Sequence, residues 1–249
     1  MNDMGARKLR FGDLRSTGSD WATRLESADS LSDLELQLLG VFQLQRRTQS
    51  QIRKAPNYEF FKRLFDVFLS VVVLSVALPL FGICAILIKL DSEGPVFFFQ
   101  DRAGRNFSVF KVIKFRTMYK DADSMARKLL QKDTPDERAT RVGKIFRKWK
   151  IDEIPQFFNV LKGEMSLVGP RPFPLEESIF VPEQDLTRFQ VLPGMTGLWQ
   201  ATRPNTISAM EKFRLDAVYA QERSFAFDLQ LIFKTIPRLM RGEPPREAS

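Results

Sequence analysis

The chain of 249 residues contains no histidine and a single cysteine, Cys84. Without histidine, Ser-His-Asp and Cys-His catalysis are excluded, and so are histidine-bearing metal sites and zinc fingers. One cysteine closes no internal disulfide, so a reducing compartment is expected. Cys84 lies inside an apolar run, where a cysteine acts as a small buried hydrophobe. No apolar core follows Met1, so no secretory leader is expected, and no internal repeat is present. Acidic residues are in deficit, 30 against 38 basic ones, which leaves a net charge of +8. A basic surplus suits nucleic acid, anionic lipid headgroups or phosphorylated substrates.

Residues 1–57 are polar. The first part, to residue 31, has the composition of a disordered segment. Ser32-Asp33 could cap a helix over 32–54, with Leu34, Leu38, Val41 and Phe42 at helical spacing. Its candidate partners are the rest of the chain or a second copy in a homodimer. From Val67 to Ile88 no charge occurs. At about 1.5 Å per residue this run is just long enough for a bilayer core. Pro79 lies near its middle and costs the helix one hydrogen bond. Basic residues flank both ends, among them Lys62, Arg63, Lys89 and Arg102. The positive-inside tendency holds both flanks in the cytoplasm. A helix that enters, breaks at Pro79 and returns satisfies both features; an ordinary kinked transmembrane helix also tolerates the proline.

Beyond residue 90 the pattern changes period. Pro95–Gln100 and Phe107–Phe115 read as strands of a small β-hairpin, with a turn at Asp101–Asn106. Helical patterns occupy 121–131, 137–149 and 152–161. Ser208 caps a helix reaching Arg223. Residues 225–240 form an amphipathic helix, broken or bent at Pro237, that suits a membrane surface or the body of the protein equally. Residues 242–249 read as a disordered tail. The expected class is α+β, mainly helical. It comprises a membrane helix over 58–90, amphipathic interfacial helices and a compact catalytic body over 91–241.

Chemistry concentrates around Asp152 and Glu153. Asp caps helices well, and Glu and Pro155 suit a first turn. Judged alone, capping is the stronger reading; the same placement also suits a carboxylate that attacks phosphorus, beside a second carboxylate that holds Mg²⁺. Gly169-Pro170-Arg171-Pro172 is a stiff turn presenting one guanidinium, a group that binds phosphate bidentately. Alternation puts Lys114 and Arg116 on one strand face, either solvated or facing an anion. Lys144, Arg147, Lys148 and Lys150 cluster just before Asp152, either solvated, on anionic lipid, or drawing phosphate toward Asp152.

In order, Phe61-Lys-Arg-Leu-Phe-Asp66, the proline-centred apolar run, Phe99-Gln-Asp-Arg-Ala-Gly104, Lys114-Phe-Arg-Thr-Met118, Ile151-Asp-Glu-Ile-Pro-Gln156, Asn159 to Ser166, Gly169 to Pro172 and Pro193-Gly-Met-Thr-Gly197 resemble the bacterial sugar transferase family, the monotopic phosphoglycosyl transferases. The likeness covers Tyr58 to Met240. It implies transfer of a sugar 1-phosphate from a nucleotide diphosphate sugar to undecaprenyl phosphate on the cytoplasmic face of the bacterial inner membrane. UMP would be released and an exopolysaccharide or other surface glycan begun. UDP-glucose or UDP-galactose is the expected donor. By resemblance Asp152 is the nucleophile and Glu153, with Asp152, binds Mg²⁺. Arg171 between Pro170 and Pro172 holds the nucleotide, and Arg147 and the Lys114/Arg116 strand face bind phosphate. Lys62 and Arg63 meet headgroups or the lipid phosphate, and Pro79 is the break of a re-entrant helix. The family often carries Ser before this proline; here Leu78 stands there, so the break lacks one hydroxyl partner.

Two rival readings differ in class. A non-catalytic membrane scaffold would treat Asp152 as a cap and the basic faces as lipid contacts. A nucleic-acid-binding protein is disfavoured, because no helix-turn-helix, zinc or RNA-recognition signature occurs and the apolar run would have no purpose.

Overall fold

The computed structural model describes residues 56–120, 138–178, 180–202 and 207–241. The expected helices over 32–54 and 121–131 and the tail at 242–249 lie outside the described residues. The described chain is mainly helical, with two small sheets.

Helix α1 spans Pro56–Asp91 and is apolar around its circumference through its middle. Among the described residues it is the one helix long and apolar enough to cross a membrane. The expected break at Pro79 does not interrupt it: helix continues on both sides, so the proline acts within the helix rather than as a loop. Phe68, Val72, Val76, Leu78, Ile83 and Ile86 are exposed. A contiguous apolar surface of this extent marks contact with a membrane or partner.

Both arms of α1 nevertheless pack on the remaining chain. On the first arm, Asp66 accepts a hydrogen bond from the Leu167 N–H at 3.1 Å, and Lys62 pairs with Asp228 at 2.7 Å. On the second, Cys84 and Ile88 are buried against Phe115 and Phe146. Asp91 there accepts from the Val142 N–H at 2.9 Å.

Strands β1 (Phe97–Ala103) and β2 (Val109–Phe115) form the expected antiparallel hairpin, from Phe97 opposite Phe115 to Ala103 opposite Val109. Its turn is tighter than the sequence suggests. Ala103 still pairs, and Asn106 and Phe107 close the turn with φ of 54° and 56°. Asn accepts the left-handed region readily; Phe107 is held there by burial against Phe189.

Helix α2 (Arg141–Lys148) begins later than the periodicity indicates, because Thr140 caps it by accepting from the Gly143 N–H at 3.0 Å. Lys150 is left-handed at φ 57°, and a single 3₁₀ turn, Ile151–Glu153, separates α2 from α3 (Gln156–Lys162). The expected helix from Asp152 is therefore two pieces.

A second, parallel sheet was not visible in the periodicity, since each strand has only three residues: β3 (Ser166–Val168) and β4 (Gly194–Thr196). Gly169 and Gly194 make it possible. A Cβ on either would collide with the other's backbone. Short helices α4 (Leu175–Ser178) and α5 (Leu198–Thr202) follow β3 and β4. The last two helices are α6 (Ala209–Glu222) and α7 (Phe225–Arg241). Ser208 and Glu211 form a capping box for α6. Pro237 sits within α7 without ending it.

Candidate active site

The 3₁₀ turn carries Asp152 and Glu153 into the space between β2, α2 and the Gly169–Pro172 turn. Neither carboxylate serves as a helix cap. The residue before α3 is Pro155, with no side-chain cap bond, and Asp152 Oδ1 is buried without any hydrogen-bond partner. An unsatisfied buried oxygen is costly, and Asp152 Oδ1 shares that state with Asp216 Oδ1 among the described carboxylates.

Glu153 is the opposite case. Its Oε1 lies 3.1 Å from Lys114 Nζ, 3.6 Å from Arg171 Nη2 and 3.9 Å from Lys150 Nζ. Burial opposes ionisation, but the three cations outweigh it and hold Glu153 well below the usual carboxylate range. Asp152 is driven the other way. Burial first, and then the neighbouring Glu153 charge, push it up to about 6, against the pull of Lys114, Lys150 and Arg147. Burial, with the Arg171 charge, also lowers the Lys114 ammonium, opposed by both carboxylates. The pair is thus split: one carboxylate locked as an anion in a cationic cradle, the other raised and with one oxygen, Oδ1, unpartnered.

Arg147 reaches the same place from α2. Its Nε donates to Thr117 Oγ1 at 2.9 Å, and its charge bears on Asp152. The turn that presents Arg171 is fixed on all sides. The Pro170 carbonyl accepts from the Gly194 N–H at 2.8 Å, and the Pro172 carbonyl accepts from Arg102 Nη1 at 3.0 Å. The Arg171 guanidinium stands 6.0 Å from the Trp199 ring centroid.

Other expected site residues go elsewhere. Arg116 does not share the Lys114 site. Its guanidinium donates to the Ser92 carbonyl at 2.7 Å and to the Glu93 carbonyl, just beyond the end of α1. The strand ends at Phe115, so alternation no longer governs residue 116. Lys62 is buried against Asp228. Arg63 donates to the Val160 and Leu161 carbonyls at 2.5 and 2.8 Å, covering the end of α3. Both are engaged inside the protein, where their partners were not readable from sequence. Trp199, Arg188 and Asp216 also border the Arg171 turn and were missed, because each reads locally as an ordinary helix or loop residue.

Among the described residues no three His, Cys, Asp or Glu side chains gather. Two adjacent carboxylates, one with an orphan oxygen, still match the habit of Mg²⁺, which takes one or two carboxylates and completes its shell with water and phosphate.

The sequence profile described as bacterial sugar transferase matches residues 57–242. The chain is similar to the UDP-N-acetylgalactosamine-undecaprenyl-phosphate N-acetylgalactosaminephosphotransferase of Aeromonas hydrophila, 39% identical over 197 residues, covering 76% of this chain and 45% of that protein. It is 37% identical over 196 residues to the exopolysaccharide production protein ExoY of Rhizobium meliloti, covering 73% of this chain and 87% of that one. It is 42% identical over 193 residues to the undecaprenyl-phosphate glucose phosphotransferase of Komagataeibacter xylinus, covering 71% of this chain and 35% of that one. The chain thus matches less than half of two of these relatives and most of the third.

Proposed function

The chain belongs to the bacterial sugar transferase family, and from that premise we propose that it transfers a sugar 1-phosphate from a UDP-hexose to undecaprenyl phosphate through a covalent Asp152 intermediate. The observation that carries this reading is the split carboxylate pair: Asp152 has a buried oxygen with no partner, beside a Glu153 that three cations hold ionised.

In the first step an Asp152 oxygen attacks the sugar-proximal phosphorus. The bond from that phosphorus to the bridging oxygen breaks, and UMP leaves with that oxygen. In the second step a phosphate oxygen of undecaprenyl phosphate attacks the same phosphorus and releases Asp152, leaving a polyprenyl diphosphate sugar. Both nucleophiles are already anionic, so neither step needs a histidine base, in keeping with a chain that has none. Lys114 and Arg171 stabilise phosphate charge, and Arg147 adds to the positive field at Asp152. Asp152 and Glu153 are the residues that would hold Mg²⁺, which would supply further neutralisation of the phosphates.

The membrane reading is re-entrant, with the catalytic body on the cytoplasmic face. Its support is that residues on both sides of Pro79 pack on one body, whereas a simple span would put about 30 Å of hydrocarbon between its flanks. Exposed Phe233, Ile236 and Met240 on α7 give that helix an apolar face for the same interface.

The test is the intact mass of detergent-solubilised enzyme after incubation with Mg²⁺ and UDP-glucose, UDP-galactose or UDP-N-acetylgalactosamine, without acceptor. A hexose-phosphate or N-acetylhexosamine-phosphate adduct that is absent in Asp152→Asn is expected. UMP release that occurs only once undecaprenyl phosphate is added, with no adduct from any donor, would sink the two-step route.

A further inference from the structure

We propose that the buried Arg188–Asp216 ion pair is a positioning device for the donor-binding turn, gripping the main chain of Arg171 so that its guanidinium faces Glu153. This rests on the reading of Arg171 as a nucleotide-diphosphate ligand.

Arg188 and Asp216 come from different elements, the 3₁₀ segment Glu183–Gln190 and α6. Their side chains are 2% and 0% exposed. Arg188 Nη2 donates to Asp216 Oδ2 at 2.9 Å and to the Arg171 carbonyl at 2.6 Å. Asp216 lies near the Arg171 peptide N–H, which favours its charge, but its Oδ1 is buried with no hydrogen-bond partner. Pro170 and Pro172 have no N–H, so that group is the single main-chain donor across the three residues. The ion pair therefore holds the Arg171 carbonyl through Arg188 and sets the Asp216 charge close to that lone N–H.

The surroundings argue against a merely stabilising role. Arg188 lies 4.7 Å from the ring centroids of Phe173 and Phe189 and 5.8 Å from that of Phe213. An apolar pair of similar volume would pack well in such a cage, and buried ion pairs are often replaced by apolar residues without loss of stability. What the apolar pair cannot do is hold the Arg171 peptide. The guanidinium of Arg171 lies 3.6 Å from Glu153, and a small rotation of the turn would carry it out of that range.

The experiment measures equilibrium binding of UDP to detergent-solubilised enzyme, alongside thermal melting and the fraction folded. The variants are Arg171→Ala, the double variant Arg188→Met with Asp216→Leu, the triple variant, and Arg188→Lys. The expected result is a UDP Kd raised about tenfold in Arg171→Ala and in the double variant, with no further rise in the triple. Arg188→Lys, which keeps the charge and loses the planar fork, rises by a smaller factor and stands in for the double variant should that one not fold. A wild-type Kd per folded molecule in the double variant or in Arg188→Lys overturns the proposal, as do losses that multiply in the triple variant. An unchanged Kd in Arg171→Ala overturns the reading of Arg171 itself, and the positioning role with it.

Discussion

Two buried carboxylates in this protein, Asp228 and Asp152, have opposite surroundings. Asp228 lies where the first arm of α1 meets α6 and α7. Its Oδ2 accepts from Lys62 Nζ at 2.7 Å and from the Tyr58 hydroxyl at 2.9 Å, and its Oδ1 accepts from the Tyr219 hydroxyl at 2.7 Å. Every oxygen is served, and the cluster ties α1 to the body. Asp152 is as buried and has cations nearby, yet Oδ1 has no partner. Lys114 and Lys150, whose charges also bear on Asp152, converge on Glu153 Oε1. At Asp228 the satisfied charge fixes geometry, whereas at Asp152 one oxygen stays open to a ligand. Charge count alone does not separate structure from chemistry; the distribution of partners does.

The comparison breaks most sharply at Asp152 itself. Asp152→Asn is expected to lower UMP release by at least about a thousandfold with a melting temperature equal to or above wild type, since it removes a strained charge and nothing that holds the fold. Asp228→Ala is expected to do the reverse. It strands the buried Lys62 ammonium and costs about 3–5 kcal/mol in denaturant unfolding, while UDP affinity per folded molecule is kept. A large activity loss in folded Asp228→Ala would show that the anchor also shapes the site.

Glu153→Gln comes next, with activity lowered about a hundredfold, because the cradle of Lys114, Lys150 and Arg171 loses its counter-charge and repels itself. The pH profile sharpens the same point. In the proposed mechanism Asp152 attacks as the carboxylate, so kcat/KM for the donor is expected to rise with pH through about 6 and level above it. Stability runs the other way. A carboxyl raised from 3.8 to about 6 by folding favours the native state at low pH, and that contribution is lost as pH rises through about 6. Asp152→Asn should remove this component from the melting profile. The smallest effect is expected at Arg116. Arg116→Met uncaps carbonyls beyond α1 and costs about 1–2 kcal/mol of stability, with UDP affinity unchanged. Weakened UDP binding there would restore Arg116 to the site.

Much of the candidate site was legible in the chain because the residues that the fold brings together are close in sequence or carried by stiff motifs. Asp152 and Glu153 are adjacent, and Arg171 is framed by prolines. The hairpin and the capped α6 were legible for the same local reason. Lys62, Arg63 and Arg116 were not, since a cation in a motif looks the same whether it meets a phosphate or a carbonyl at a helix end. Arg188 and Asp216 were hidden altogether. A charged residue on a helix or 3₁₀ turn reads as solvated until the fold puts Phe173, Phe189 and Phe213 around it.

The sequence by itself determined the apolar helix around Pro79, the hairpin, the carboxylate pair and the stiff arginine turn, because each depends on local periodicity, backbone restriction or adjacency. Only the tertiary structure decided which carboxylate is satisfied and which is left open, which cations build the site and which fasten helices, and what holds Arg171 in place. Those outcomes depend on burial and on partners distant in the chain, such as Lys114 for Glu153 and Asp228 for Lys62. Desolvation, which sets the value of every buried charge, exists only once the chain has folded around it.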